Sequence, residues 1–132
     1  MLENSKHIII VGAGIAGLTA ALSLRQYGIR TSIYERSPEI ITAGAGIQLS
    51  PNANRVLSRI GVLKEISSVS IRCHGVKVFD YKSNRQLALF DYMKFKGNDF
   101  FYFCHRADLV GVLYAACQKL EIPVYFNKKL EK

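Results

Sequence analysis

The sequence predicts an α/β fold built on a parallel strand–helix–strand unit, with an antiparallel hairpin inserted further along. Three observations carry that expectation. The run His7–Val11 (HIIIV) is dominated by β-branched residues and ends at a glycine, which reads as a strand. Ala16 to Tyr27 carries apolar residues at helical spacing and meets Gly28, a suitable C-terminal stop. Thr31–Glu35 (TSIYE) is a second short strand. Two strands joined through a helix lie parallel in the same sheet.

The remaining elements follow in order. His7–Val11 is expected to be buried, as apolar strands of parallel sheets are. After a loop, Ser50 is a plausible N-cap, Pro51 suits the first helical position and Gly61 the stop, so a helix is expected over Pro51 to Ile60. Gly75–Tyr81 (GVKVFDY) and Gln86–Phe90 (QLALF), either side of a polar KSNR turn, read as the hairpin. Phe100–Cys104 (FFYFC) is a further strand. Arg106 opens a helix to about Leu120, and Ile122–Phe126 (IPVYF) is a last strand. The sequence has no internal repeat and no low-complexity linker.

Composition narrows the class. A chain of 132 residues, 49% apolar, is one ordinary domain with enough material for a core. No apolar run reaches the roughly 20 residues of a membrane-spanning helix. The longest, Ile8 to Leu24, is broken by glycines and lacks the charged lead and cleavage site of a signal peptide. No stable membrane insertion is expected, and the cytoplasm is the expected compartment. Lysine and arginine number 18 against 10 acids, a formal charge of +8. The cations are dispersed, apart from Lys128, Lys129 and Lys132, whereas a nucleic-acid binder presents a focused basic face. No nucleic-acid partner is therefore expected. A phosphate-bearing small ligand and a merely solvated basic surface both fit.

The cysteines, Cys73, Cys104 and Cys117, are three in number without a CxxC pair, and so are expected as reduced thiols. Cys73–His74 and Cys104–His105 could in principle converge on a metal. A core cysteine beside a rim histidine at a strand end is the simpler expectation, and no metal site is assigned.

The chemistry-bearing motif is Gly12-Ala13-Gly14-Ile15-Ala16-Gly17, a GxGxxG between strand and helix. Gly12 permits the tight turn, Gly14 lets the backbone approach a pyrophosphate, and Gly17 lets the helix pack on the strand. The amides of this segment, Ile15 and Ala16 included, then face the diphosphate at a helix N-terminus, where unpaired N–H groups and the dipole favour negative charge. Glu35 ends the second strand at the distance expected of a ribose-binding acid, able to accept both adenosine hydroxyls and to repel a 2′-phosphate. FAD or NAD is therefore favoured over NADP at this corner. Arg36 either stacks on adenine or approaches the phosphates, or is an ordinary exposed arginine.

The segments GAGIAGLTAALSLRQYGI, YER, GAGIQLSPNANRVLSRIGV and HRADL, in that order, resemble the class A flavoprotein monooxygenases, and within them the salicylate-hydroxylase branch. The resemblance covers essentially the whole chain. It implies a Rossmann-like FAD-binding unit with FAD as cofactor and NADH or NADPH as reductant. Gly12, Gly14, Ile15, Ala16 and Gly17 would line the diphosphate, and Glu35 would hold the ribose with Arg36 beside it. The Ala45–Gly46–Ile47 backbone would approach the flavin ring, and Arg106 would reach the ribityl and phosphate region. An arginine at a helix start is poorly placed for that helix's own dipole, which favours such a ligand role. The implied reaction is hydroxylation of a small aromatic, phenolic substrate with O2, the redox chemistry being the cofactor's. No catalytic residue is assigned. Gln48 stands where some relatives carry a proton-accepting histidine, and an amide only donates and accepts hydrogen bonds.

The resemblance also implies incompleteness. Residues 1–132 would form the N-terminal portion of an FAD-binding domain, with the 75–92 hairpin belonging to a truncated substrate domain. An Asp-Gly motif and a later Gly-Asp motif of the family are absent from these residues. The chain alone is therefore expected to bind FAD weakly and not to turn over, its partner being a missing C-terminal half or a second copy. A catalytically inactive dinucleotide-binding remnant or partner-binding module is the competing expectation.

Overall fold

The computed structural model describes residues 7–40, 44–94 and 100–131. The elements run β1 (His7–Val11), α1 (Ile15–Gln26), β2 (Arg30–Tyr34), β3 (Gly46–Leu49), α2 (Pro51–Arg59), α3 (Leu63–Ser68), β4 (Ile71–Cys73), β5 (Gly75–Phe79), β6 (Gln86–Asp91), β7 (Phe101–His105), α4 (Arg106–Lys119) and β8 (Val124–Tyr125). This is a mixed α/β architecture. One sheet has the order β1-β2-β8, a second β3-β7-β4, and β5-β6 is a separate hairpin.

β1 and β2 pair in parallel from His7 opposite Arg30 to Val11 opposite Tyr34, and β8 joins β2 in parallel. The core lies between this sheet and the packed pair α1 and α4. Leu18 and Leu22 of α1, Ile33 of β2, and Leu109 and Leu113 of α4 are all essentially inaccessible to solvent. Burying each such side chain contributes about 1.5–3 kcal/mol.

The expectation that β1 is buried holds for one face alone. Ile8 and Ile10 face the helices, while Ile9 is 63% and Val11 57% exposed. β1 is an edge strand, and Ile9 and Val11, with Tyr34, adjoin the Lys128–Leu130 segment. A side-chain period of two puts every second residue on that side.

Helix termini follow their sequence cues closely. At the end of α1, Gly28 has a φ of 70°, its N–H bonds the Arg25 carbonyl, and Ile29 N–H bonds that of Leu24. This is the Schellman geometry, which favours glycine because left-handed backbone crowds a Cβ. α2 ends the same way at Gly61. α4 does so at Glu121, with a φ of 54° and with Ile122 N–H bonded to the Cys117 carbonyl. Ser50 occupies the N-cap position of α2 with Pro51 next, but its hydroxyl makes no capping bond.

Two regions differ from expectation. The strand proposed over Ile122–Phe126 contracts to Val124–Tyr125, because the Ile122 amide is spent on the α4 cap, Pro123 has no N–H and Asn127 turns the chain at a φ of 56°. β3, α3 and β4 lie where no element was expected. β3 and β4 are short strands whose hydrogen bonds go to opposite edges of β7, far away in sequence. Asn54, 5% exposed, ties α2 to this sheet by donating from Nδ2 to the Phe100 carbonyl at 2.6 Å.

The hairpin β5–β6 is antiparallel, with Gly75 opposite Asp91. Val76, Val78, Phe79, Leu87, Leu89 and Phe90 on it are all exposed. Cys73, Cys104 and Cys117 are buried free thiols, whereas His74 and His105 are exposed. Among the described residues no helix is long and apolar enough to cross a membrane, and no group of His, Cys, Asp and Glu side chains could hold a metal ion.

Candidate functional site

The turn from β1 into α1 is made at Gly12, whose φ of 100° is strained for any residue with a Cβ. Its N–H still bonds the Tyr34 carbonyl at 2.8 Å, which extends the β1–β2 ladder to the corner. Two further glycines are needed for space. A Cβ on Gly17 would overlap the Gly12 carbonyl oxygen and press on Ile10 Cγ2 at 3.2 Å, so glycine lets α1 seat against β1. A Cβ on Gly14 would meet nothing within 4 Å, because that backbone faces open space. Gly14 is the N-cap of α1, no side chain caps the helix, and its first turn has no acid. Ile15 and Ala16 form that first turn. A helix N-terminus of this kind presents unpaired N–H groups and the positive end of the dipole.

Glu35 is folded back onto this corner. Its Oε2 accepts the Ala13 N–H at 2.7 Å and its Oε1 accepts the Ser37 N–H at 2.9 Å. Its main chain is gripped as well: its N–H donates to the Tyr125 carbonyl at 2.8 Å, and its carbonyl accepts from Lys128 N–H at 2.9 Å. The amides of Ser37 and Ala13 hold the carboxyl below its ordinary range, with a smaller contribution from the charge of Arg36. The group is thus an anion at neutral pH. A carboxylate has about four lone-pair sites, so acceptor capacity remains for a hydroxyl donor.

Gly14, Glu35, Glu39, Ile40 and Arg106 line one recess of about 60 Å³ at the mouth of this corner. Arg106 arrives at the first position of α4, and its N–H bonds the Ala45 carbonyl at 3.2 Å. The Ala45–Gly46–Ile47 segment leads into β3 alongside β7, with Gly46 opposite His105 and Ile47 opposite Cys104. The structure therefore brings Gly14, Glu35 and Arg106 together. It places Ala45, Gly46 and Ile47 one step away, joined to the recess through Arg106. Arg36 is exposed and does not line the recess, and Gln48 is exposed on β3.

Three participants were not anticipated. Ser37 supplies an amide to Glu35, and Glu39 and Ile40 form a wall. Nothing in their residue types distinguishes them from ordinary loop residues. Their role comes from the path of the chain after β2.

Comparison with known proteins identifies the family of the chain. The family model described as "FAD binding domain" matches residues 5–132. The chain is 36% identical over 112 residues to a 3-amino-4-hydroxybenzoate 2-monooxygenase of Streptomyces cremeus, covering 83% of this chain and 28% of that protein. It is also 36% identical over 117 residues to 3-hydroxybenzoate 6-hydroxylase 1 of Aquipseudomonas alcaligenes, covering 86% and 29%. Among solved structures, a 2-methyl-3-hydroxypyridine-5-carboxylic acid oxygenase superposes with a TM-score of 0.82 at 26% identity, over 94% of this chain and 32% of that one. The chain spans less than a third of the length of these relatives.

Proposed function

From a chain that belongs to the FAD binding domain family, we infer a segment that holds the adenosine diphosphate half of FAD on the β1–α1 corner, within a flavin-dependent monooxygenase. The Rossmann-like unit β1–α1–β2 is the binding element. The observation that carries this reading is the Glu35 carboxylate held by the Ala13 and Ser37 amides at the mouth of a bare helix N-terminus. The residues present fit the cofactor. Gly14 leaves the diphosphate a backbone approach without a side chain, the first-turn amides of Ile15, Ala16 and Gly17 offer donors, and Arg106 adds a cation. Glu35 takes the ribose hydroxyls, and its charge disfavours a 2′-phosphate there. Arg36 flanks the adenosine. The Ala45–Gly46–Ile47 backbone lies toward the flavin ring.

When bound, FAD supplies the redox chemistry, taking reducing equivalents from NADH or NADPH and activating O2 for transfer of one oxygen atom to an electron-rich aromatic ring. The chain's own residues bind and orient. Glu35 concerns the adenosine of FAD, so it does not select between the two reductants. The substrate class proposed is a small phenolic or related aromatic acid, in keeping with the names of the hydroxylases matched. The apolar β5–β6 hairpin is proposed to belong to the substrate-facing part of the protein. Three free thiols fit a reducing compartment such as the cytoplasm.

A recess of about 60 Å³ is far below the roughly 300–1,000 Å³ of a complete ligand pocket. The recess is thus one part of a cofactor site, and the flavin ring is proposed to take its walls from polypeptide outside these residues, either further sequence or a second chain. The test is to incubate the purified 132-residue chain with FAD or FMN and pass it through gel filtration. The expected result is weak retention of FAD, none of FMN, which lacks the adenosine, and no oxidation of NADH. Equal retention of both flavins, or of neither, would refute the adenosine-site assignment. Stoichiometric yellow protein that oxidises NADH would refute the need for further walls.

A further inference from the structure

We propose that Gly44 is a positioning residue, whose missing side chain makes room for the Arg106 side chain and so sets where that guanidinium stands over the recess. The inference rests on the FAD reading for its functional meaning, but its geometry is independent of it.

The chain from Gly44 to Gly46 runs alongside the β7–α4 junction. Gly46 is opposite His105 in the β3–β7 ladder, and the Ala45 carbonyl accepts the Arg106 N–H at 3.2 Å. Those bonds fix the main chain at 44 close to the stem of Arg106. A Cβ on Gly44 would lie 3.1 Å from Arg106 Cβ, 3.1 Å from Cδ and 3.5 Å from Cγ. Two of these separations are tighter than ordinary carbon contacts. Only Cδ can be relieved by rotating the side chain. Cβ moves only with the first turn of α4, which the Ala45 carbonyl ties in place. A methyl at 44 must therefore turn the Arg106 side chain aside and press the chain at 44 a few tenths of an ångström away from Arg106 Cβ.

The steric cost of a side chain at Gly44 is directed at one neighbour, Arg106. This separates Gly44 from Gly17, where the obstacle is backbone. It also gives the loop before β3 a task that its exposure alone does not suggest. It holds the arginine stem so that the charge reaches the recess shared with Gly14, Glu35 and Glu39.

The experiment is a double-mutant cycle on the full chain, using Gly44→Ala, Arg106→Ala and the pair, with FAD affinity read by flavin fluorescence and stability by thermal unfolding. Loss of a charged hydrogen-bonding partner to a phosphate corresponds to roughly tenfold or more in Kd. Gly44→Ala is expected to weaken FAD by most of the loss seen for Arg106→Ala, with little change in Tm, and the double variant to be no weaker than Arg106→Ala alone. A Gly44→Ala penalty that persists in full in the Arg106→Ala background would overturn the proposal. A second measurement needs no cofactor. In NMR spectra of the free chain, the Arg106 Nε–H resonance should shift on Gly44→Ala while those of α1 stay in place. An unmoved Arg106 resonance sinks the proposal even if FAD binds. A moved one with no FAD binding by any variant, wild type included, upholds the positioning role and fails the cofactor reading instead.

Discussion

The carboxylate of Glu35 and the main-chain amide of Ala13 meet at 2.7 Å across 22 positions of sequence. That contact locks the end of β2 to the turn leaving β1, so the acid and the bare helix N-terminus are held as one unit before any ligand arrives. Replacing Glu35 by glutamine keeps the shape but turns one acceptor into a donor facing an amide. One buried-side hydrogen bond is lost and a donor–donor contact formed, a cost of about 1 kcal/mol after allowance for exposure. The expected readout is a Tm lower by several degrees, together with FAD affinity reduced about tenfold or more. An unchanged FAD affinity in Glu35→Gln would remove the ribose role.

Acid should reproduce part of that loss. The Ser37 and Ala13 amides hold the folded-state carboxyl below its ordinary value of 4.5. The unfolded chain therefore takes up the proton first as pH falls. The stabilisation is complete above that value and disappears as pH drops through the lower folded-state value. Thermal unfolding followed from neutral pH downward should show a decline in the wild type that is shallower in Glu35→Gln. Parallel curves for the two proteins would exclude Glu35 as a source of the decline.

Gly14 and Gly17 predict opposite phenotypes from the same substitution. Gly17→Ala drives a methyl into the Gly12 carbonyl, so α1 must move off β1 at a cost of about 3 kcal/mol, visible as a Tm fall of roughly 10 °C. Gly14→Ala has an extended backbone (φ −81°) and open space around it, so Tm should hold. In the proposed binding mode its methyl instead occupies the approach of the diphosphate, and FAD retention should be lost. Equal destabilisation by the two variants would contradict the division of labour.

Glu121 ends α4 with a left-handed φ of 54°, where glycine stands in the equivalent caps of α1 and α2. Left-handed backbone costs a side-chain-bearing residue about 1–2 kcal/mol, and glycine gives back roughly 0.5–1 of that as unfolded-state entropy. Glu121→Gly is expected to stabilise the chain by about 0.5–1 kcal/mol. Chemical denaturation at fixed m-value measures this directly, and a lowered midpoint would show that the Glu121 side chain contributes something the cap geometry does not reveal.

Much of the site is legible in residue order because it is made of main chain. Gly12, Gly14 and Gly17 declare a turn, an open approach and a close packing by type and spacing alone, and Glu35 stands at the end of the next strand. Gly28, Gly61 and Pro51 mark helix ends for equally local reasons. β3 and β4 were not legible. Each is three or four residues long, and what makes each a strand is β7, more than two dozen residues further along. The same holds for Ser37, Glu39 and Ile40, ordinary residues brought to the recess by the course of the loop after β2.

Residue order by itself determined the α/β class, the β1–α1–β2 corner and the acid beside it, since these depend on backbone conformations and short-range contacts that glycine, proline and β-branched residues control directly. Tertiary structure alone decided that β1 buries one face rather than two, that Arg106 shares a recess with Gly14 and Glu35, and that Gly44 seats its stem. Those are pairings of distant segments, where the outcome depends on which surfaces the chain brings into contact, a quantity no local pattern of side chains contains.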